Sequence, residues 1–314
     1  MTYQHQPVLL DEVLHYLKPS TNQNFIDCTL GGGGHTTAIL NKISPKGKVL
    51  GIDLDLTAIE ATKIKIGDSI QNKRLITAKG NFNKIKDIAN VYKFNKVNGI
   101  LLDLGLSSGQ LQDQKRGFSF LADGRLDMRF GSQNDLDASK ILNFYSKNDL
   151  AEIFRKYGEE RLAGLIAQKI VEIRKTSPFV LPKQLVEVIA DIYKRSYRGK
   201  SKINPATKVF QALRIAVNGE LENLQQVLPQ AVKLLTGSGR IAVISYHSLE
   251  DRIVKEFFRQ ESRDCICPPT LPICQCGHKK TLRIITKKPV MASHDEMLQN
   301  PRSRSAKLRV AEKI

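Results

Sequence analysis

The sequence predicts an α/β fold, a doubly wound parallel sheet interrupted by a helical insertion. Three observations carry this reading. Apolar runs of strand length alternate with runs of helix length up to about residue 103, the alternation stops between roughly 112 and 209, and it resumes afterwards. In order, the periodicity predicts a helix over 8–18, a strand over 24–28, a helix over 35–43 and a strand over 48–53. A helix over 55–66, a strand over 74–79, a helix over 83–92 and a strand over 97–103 follow. Repeated strand-then-helix units make a parallel sheet with helices on both faces.

The stretch 112–209 holds no apolar strand. A polar, glycine-dotted segment leads into helices, one opening at Ser146 with Asp149 three residues on, others through ERLAGLIAQKIVEIRK and PKQLVEVIADIYKR. Asn204 and Pro205, a cap and a first-turn proline, open a helix that leads back out. A helix over 219–235, the strand GRIAVIS from 239, a helix over 248–262 and two β-like runs, LRIITKKP and AKLRVAE, complete the chain. The expected division is a discontinuous domain of residues 1–111 and 210–314 around an insertion of 112–209.

Charge narrows the partner. The 314 residues hold 49 lysines and arginines against 31 acids, a net charge of +18 that a polyanion complements, and nucleic acid is the default polyanion. Runs such as LITA, GILLDLGL and RIAVISY fall far short of the roughly 20 apolar residues of a membrane span. Asp11 and Glu12 interrupt the only candidate signal core, so no signal peptide and a cytoplasmic location are expected. The cysteines agree, with Cys28 alone and four crowded between 265 and 276, which is no disulfide framework for a chain this long.

The glycine run at 31–34 follows the first strand. Such a turn lets the backbone approach a ligand and presents helix-terminal N–H groups to it. The dinucleotide pattern GxGxxG fails in both registers, because its third glycine falls on Thr36 or Thr37. The looser acid-x-Gly-x-Gly-x-Gly pattern of S-adenosylmethionine enzymes matches Asp27, Gly31 and Gly33, with Thr29 in place of the first glycine. A plain structural turn is the third reading. Asp53 closes the second strand twenty residues after Gly33, where an acid accepts hydrogen bonds from ribose hydroxyls. Asp103 closes the fourth strand and runs into Ser107, Ser108 and Gln110, so Asp27, Asp53 and Asp103 are expected to face one crevice.

The blocks HQPVLLDEV, TLGGGGHT, GIDLD, GNF, ILLDLGLSSGQL, RGFSF, LDMR, YGEE, FQALRIAVNGEL and ISYHSLEDRIVK, in this order, resemble the ribosomal RNA small subunit methyltransferase H family over essentially the whole chain. The resemblance implies a Rossmann-like class I S-adenosylmethionine methyltransferase sheet with a helical insertion domain. It also implies methyl transfer from S-adenosyl-L-methionine to N4 of a cytidine in the decoding region of small-subunit ribosomal RNA. Block by block, it implies cofactor contacts at Gly33, Gly34, His35, Asp53, Phe82, Asp103 and Gln110, and it assigns no metal to the reaction.

Asp103 is the candidate acceptor for the N4 proton, with Ser107, Tyr246 and His247 as supplements. The DNA enzymes of this chemistry place an acid or serine before two prolines and an aromatic, whereas here the segment reads DLGL. The densest basic stretch, YKRSYRGKSK over 193–202, interleaves cations with two tyrosines, a composition suited to phosphate contacts and base stacking, or else to a solvated helix end. The insertion is therefore the expected RNA-recognition domain, acting on the assembled or nearly assembled small subunit, and a homodimer is compatible with the sequence. CICPPTLPICQCGH carries two C-x-C pairs and reads either as four thiolates for zinc or as a loop of reduced cysteines.

Overall fold

A computed structural model describes residues 7–67, 73–106, 113, 116–120, 123–131, 135–196, 204–268, 270–271 and 273–314. It separates into two compact units, Met1–Gly105 with Leu221–Ile314, and Leu106–Glu220. In the first unit the chain runs through α1 (Leu10–Leu17), β1 (Asn24–Asp27), α2 (Gly34–Lys42), β2 (Lys48–Asp53), α3 (Leu56–Lys65), β3 (Leu75–Lys79), α4 (Ile85–Val91) and β4 (Val97–Leu104). The second unit supplies α5 (Ala138–Phe144), α6 (Lys147–Gly158), α7 (Ala163–Ile173), α8 (Pro182–Ser196) and α9 (Thr207–Asn218). Then α10 (Glu220–Leu234), β5 (Leu235–Ser245), α11 (Ser248–Glu261), β6 (Leu282–Ile284), α12 (His294–Gln299) and β7 (Lys307–Lys313) follow.

The sheet order is β3-β2-β1-β4-β5-β7-β6. Strands β1 to β5 pair in parallel, as expected of a Rossmann-like class I methyltransferase sheet. The whole sheet is mixed, because β7 inserts antiparallel between β5 and β6. Spelling alone hides this: AKLRVAE has the same apolar character in either direction, and only the path of the chain sets its sense.

Alternation along each strand divides the core in two. Ile26, Leu50, Ile52, Ile100, Leu102, Ile241 and Val243 pack with α4, α10 and α11. Their strand neighbours Phe25, Val49, Leu101, Ala242 and Ile244 pack with α1 and α2. A period of two thus covers both faces, which is why these strands read as continuous apolar runs. The chain winds outward from β1 to β3, then returns to place β4 on the other side of β1. This leaves the topological switch point between the carboxyl ends of β1 and β4, where open α/β sheets hold ligands.

The second unit is helical among its described residues and has its own core, including Leu142, Leu150, Phe154, Ile166, Ile170, Leu185, Ile189 and Leu213. It reaches beyond 112–209, because Phe210, Ala212, Leu213 and Val217 of α9 belong to that core. The helix expected at Asn204 begins at Thr207; Asn204 instead makes the preceding turn, its side-chain oxygen accepting the Ala206 N–H at 2.9 Å. Helices α5 and α12 are additions to the expected set, each short and each capped, by Asp137 and Ser293. No helix among the described residues is long and apolar enough to cross a membrane.

The expected start at Ser146 is a full capping box: the Ser146 hydroxyl accepts the Asp149 N–H at 3.2 Å, and the Asp149 carboxylate accepts the Ser146 N–H at 3.3 Å. Ser146→Ala leaves one first-turn N–H without that acceptor, so urea unfolding should show a loss of about 1 kcal/mol.

Candidate functional site

The glycine loop is built on a buried acid. Asp27 at the end of β1 is 1 % exposed. Its carboxylate accepts the Thr36 hydroxyl at 2.7 Å and the Thr29 N–H at 3.1 Å. Asp27 therefore does not line an open crevice with Asp53 and Asp103 as expected; its oxygens bind the two ends of the loop to β1. Thr29, the departure from the glycine pattern, also has a role: its hydroxyl accepts the Asp103 N–H at 2.8 Å, joining the loop to the end of β4.

The glycines serve two purposes. Gly33 lies at φ 69°, and a Cβ there would stand 2.6 Å from Thr62 Cγ2; one at Gly34 would stand 2.3 Å from Pro7 Cγ. These two are bare because the chain itself packs against them. Gly31, at φ 47°, has only the Thr29 carbonyl oxygen, at 3.8 Å, within 4 Å of the Cβ position. This is where the backbone is open to a ligand. Its carbonyl accepts the Thr62 hydroxyl at 2.8 Å, a contact from α3 that no sequence pattern announced.

Asp53 faces this point. One carboxylate oxygen accepts the Gly31 N–H at 2.8 Å and the other the Asp55 N–H at 2.9 Å. Burial raises its pKa above the ordinary aspartate range even though both backbone donors oppose the shift. Each oxygen keeps a second lone pair for a hydroxyl. Phe82 sits half-buried in the single 3-10 turn after β3, against the core of the sheet.

Across the switch point Asp103 meets two rings. Tyr246, just beyond β5, donates its hydroxyl to Asp103 Oδ1 at 2.7 Å, and His35 Nδ1 lies 3.8 Å from Oδ2. His35 Nε2 is 3.0 Å from the Val8 carbonyl oxygen, which only an N–H can satisfy. His35 is thus buried through its ring, and faces Asp103 with the nitrogen that is protonated only in the imidazolium. Burial raises the Asp103 pKa, while His35 and the Tyr246 hydroxyl oppose that shift; burial and Asp103 together drive the Tyr246 pKa far upward. The phenol stays a donor. Gly105 permits the arrangement, since a Cβ there would come within 2.7 Å of the Tyr246 ring.

His247 has another task. It is the cap of α11, its Nδ1 accepting the Glu250 N–H at 3.4 Å, while Glu250 returns to accept the Tyr246 N–H at 2.9 Å. Ser107, Ser108 and Gln110 lie outside the described residues, as does Arg198. In the second unit, Tyr193 donates its hydroxyl to both oxygens of the buried Glu160 at 2.8 Å, so it serves the interior of its own unit rather than standing out for a base. Lys194 and Arg195 are exposed on the last turn of α8, with Arg195 paired to Asp191 at 2.9 Å.

The chain matches, over residues 2–314, the family described as the MraW methylase family. It is 48% identical to a protein of Thermomicrobium roseum named ribosomal RNA small subunit methyltransferase H, across 99% of this chain and 94% of that one. Proteins of the same name from Heliobacterium modesticaldum and Halothermothrix orenii are 46% and 47% identical, with coverage of 99% or more on both sides.

Asp103 allows a test of this geometry by stability alone. A carboxyl whose pKa is raised by folding stabilises the fold fully below its unfolded pKa, about 4, and that contribution is lost as the pH rises through the folded value. Asp103→Asn keeps an acceptor for Tyr246 but cannot ionise. The variant should therefore unfold at a higher temperature than the parent at neutral and mildly alkaline pH, with the difference shrinking toward pH about 4 in calorimetric scans.

Proposed function

Because the chain belongs to the MraW methylase family, we propose that it transfers a methyl group from S-adenosyl-L-methionine to N4 of a cytidine in the decoding region of small-subunit ribosomal RNA. The observation that carries the reading is the pairing of open Gly31 with the Asp53 carboxylate at one edge of the switch point and the Asp103–Tyr246–His35 group at the other. The residues suit an adenosyl ligand. Asp53 offers lone pairs to ribose hydroxyls, Gly34 and His35 offer backbone N–H groups at the opening of α2, Gly33 makes the turn beside them with its own N–H held by the Leu30 carbonyl, and Phe82 and Gln110 complete the set.

The donor supplies a methyl already activated by a sulfonium. The protein has chiefly to align the amine and exclude water. The N4 lone pair of cytosine is delocalised into its ring, so an acceptor on the amine orients it and takes the proton that leaves as the N–C bond forms and the C–S bond breaks. Asp103 is that acceptor. Tyr246 fixes its second oxygen, and His35 and the Tyr246 hydroxyl both oppose the rise in pKa that burial causes. The target base reaches such a site only when unstacked.

The net charge of +18 supports an extended RNA partner held through its phosphates, with the second unit as the recognition domain. The names of the relatives support small-subunit ribosomal RNA as the substrate, and we take it to be met in the assembled or nearly assembled subunit.

Asp53→Ala should weaken S-adenosylhomocysteine by roughly 1–3 kcal/mol in equilibrium binding, with NAD bound by neither protein. Unchanged affinity in a folded variant rejects the donor site. Asp103→Asn should abolish turnover with little change in donor affinity; an equal loss of both makes Asp103 a donor contact only. Small subunits lacking the modification should be methylated, with a steep fall as salt rises, while a short single-stranded oligonucleotide with the same cytidine should not. Replacing Lys194, Arg195 and Arg198 together should raise the apparent KM for subunits and leave donor binding intact. Equal rates on subunit and oligonucleotide, or no effect of the triple replacement, place the RNA grip elsewhere.

A further inference from the structure

The segment between α11 and β6 stands apart from the methyl-transfer site. Its ends are joined, Thr281 donating its N–H to the Glu261 carbonyl at 2.8 Å and its hydroxyl to the Glu261 carboxylate at 2.6 Å. Between them, none of the described residues from 262 to 280 is buried, and those from 263 to 280 form no helix or strand. Ile273 is 74% exposed. A loop of this length without an apolar interior needs another source of order.

Its four cysteines converge all the same. The sulfurs of Cys265, Cys267, Cys274 and Cys276 all lie within 4.8 Å of one another. Cys274 and Cys276 are 3.6 Å apart, and Cys276 and Cys265 are 3.8 Å apart. Those separations are far above the ~2.05 Å of a disulfide. They match the edge of a tetrahedron with metal–sulfur bonds of about 2.3 Å, which is about 3.8 Å. Spacing explains how C-x-C achieves this. One intervening residue keeps the two sulfurs of each pair close together, so each pair offers two sulfurs to the other.

Backbone donors complete the set. The Ile266 N–H reaches Cys276 Sγ at 3.5 Å, the Gln275 N–H reaches Cys267 Sγ at 3.4 Å, and the Cys267 N–H reaches Cys265 Sγ at 3.4 Å. Two of these three bonds cross between the pairs. Such donors offset charge on sulfur as partners around a metal do. Arg263, Lys279 and Lys280 flank the cluster in sequence together with Asp264, whose carboxylate lies 3.5 Å from the Lys280 ammonium. His278 lies outside the set, with its Nε2 3.2 Å from the Gln260 carbonyl at the end of α11.

We propose that Cys265, Cys267, Cys274 and Cys276 form a structural tetrathiolate zinc site that ties the α11–β6 loop. Four soft ligands in a closed tetrahedral set leave no position for substrate, so the ion holds structure and takes no part in the methyl-transfer chemistry. The site is independent of the reading of the reaction.

The test uses the full chain, produced in zinc-supplemented medium, purified under reducing conditions without an immobilised-metal step, and analysed by plasma mass spectrometry. One zinc ion per chain is expected, with loss of the metal in a Cys267→Ser/Cys274→Ser variant and its retention in Cys28→Ala. Chelation should also open the loop to limited proteolysis. To guard against a misfolded variant, cobalt(II) added to the stripped parent chain should give the visible d–d absorption of tetrahedral thiolate coordination. Zinc no higher in the parent than in the double variant, iron in its place, or an absence of that cobalt spectrum would overturn the proposal.

Discussion

The buried carboxylate of Asp27 is the constraint from which the site is built. A carboxyl group at that depth is tolerated because hydroxyl and backbone donors meet its oxygens, and those donors are the two ends of the glycine loop. Once Thr29 is held there, its hydroxyl is placed to receive the Asp103 N–H, and once Thr36 is held, α2 starts where Gly33 can turn. The loop that results offers Gly31 to Asp53. One acid thus sets the relation between three strand ends, and it does so without facing the ligand itself.

Much of the fold was legible because both faces of the parallel strands are covered, which makes NFID, KVLGID and VNGILLD apolar to their final acids. The cap at Ser146 was legible because Asp149 three residues on completes the box, whereas the side-chain caps Asp137 and Ser293 stand before helices too short to show a period. The sense of β7 was not, since strand direction belongs to the route of the chain. The short α5 spans seven residues and presents barely two turns of periodicity, too few to separate it from the polar segment before it.

At the site, the strand-end acids could be read, but not their division of labour. Asp27 and Asp53 have the same position in their strands; the difference comes from donors contributed by Thr36 and Gly31, which only the folded loop brings into range. Tyr246 and His247 are adjacent and equally polar, yet one ring reaches Asp103 and the other caps α11. That distinction depends on the turn from β5 into α11, and no spacing rule contains it. Tyr193 misled for the opposite reason: a tyrosine among cations suggests stacking on a base, whereas Glu160 had already claimed its hydroxyl.

Strands β4 and β5 are direct neighbours in the sheet, yet about 130 residues separate Leu104 from Leu235. If that stretch were unstructured, closing so long a loop would burden every attempt to form the β4–β5 ladder. Most of it instead builds a helical core of its own, with α9 near its end packed against α6. Asp103 on β4 therefore meets Tyr246 beyond β5 only when a sheet interrupted by a separate helical core has closed.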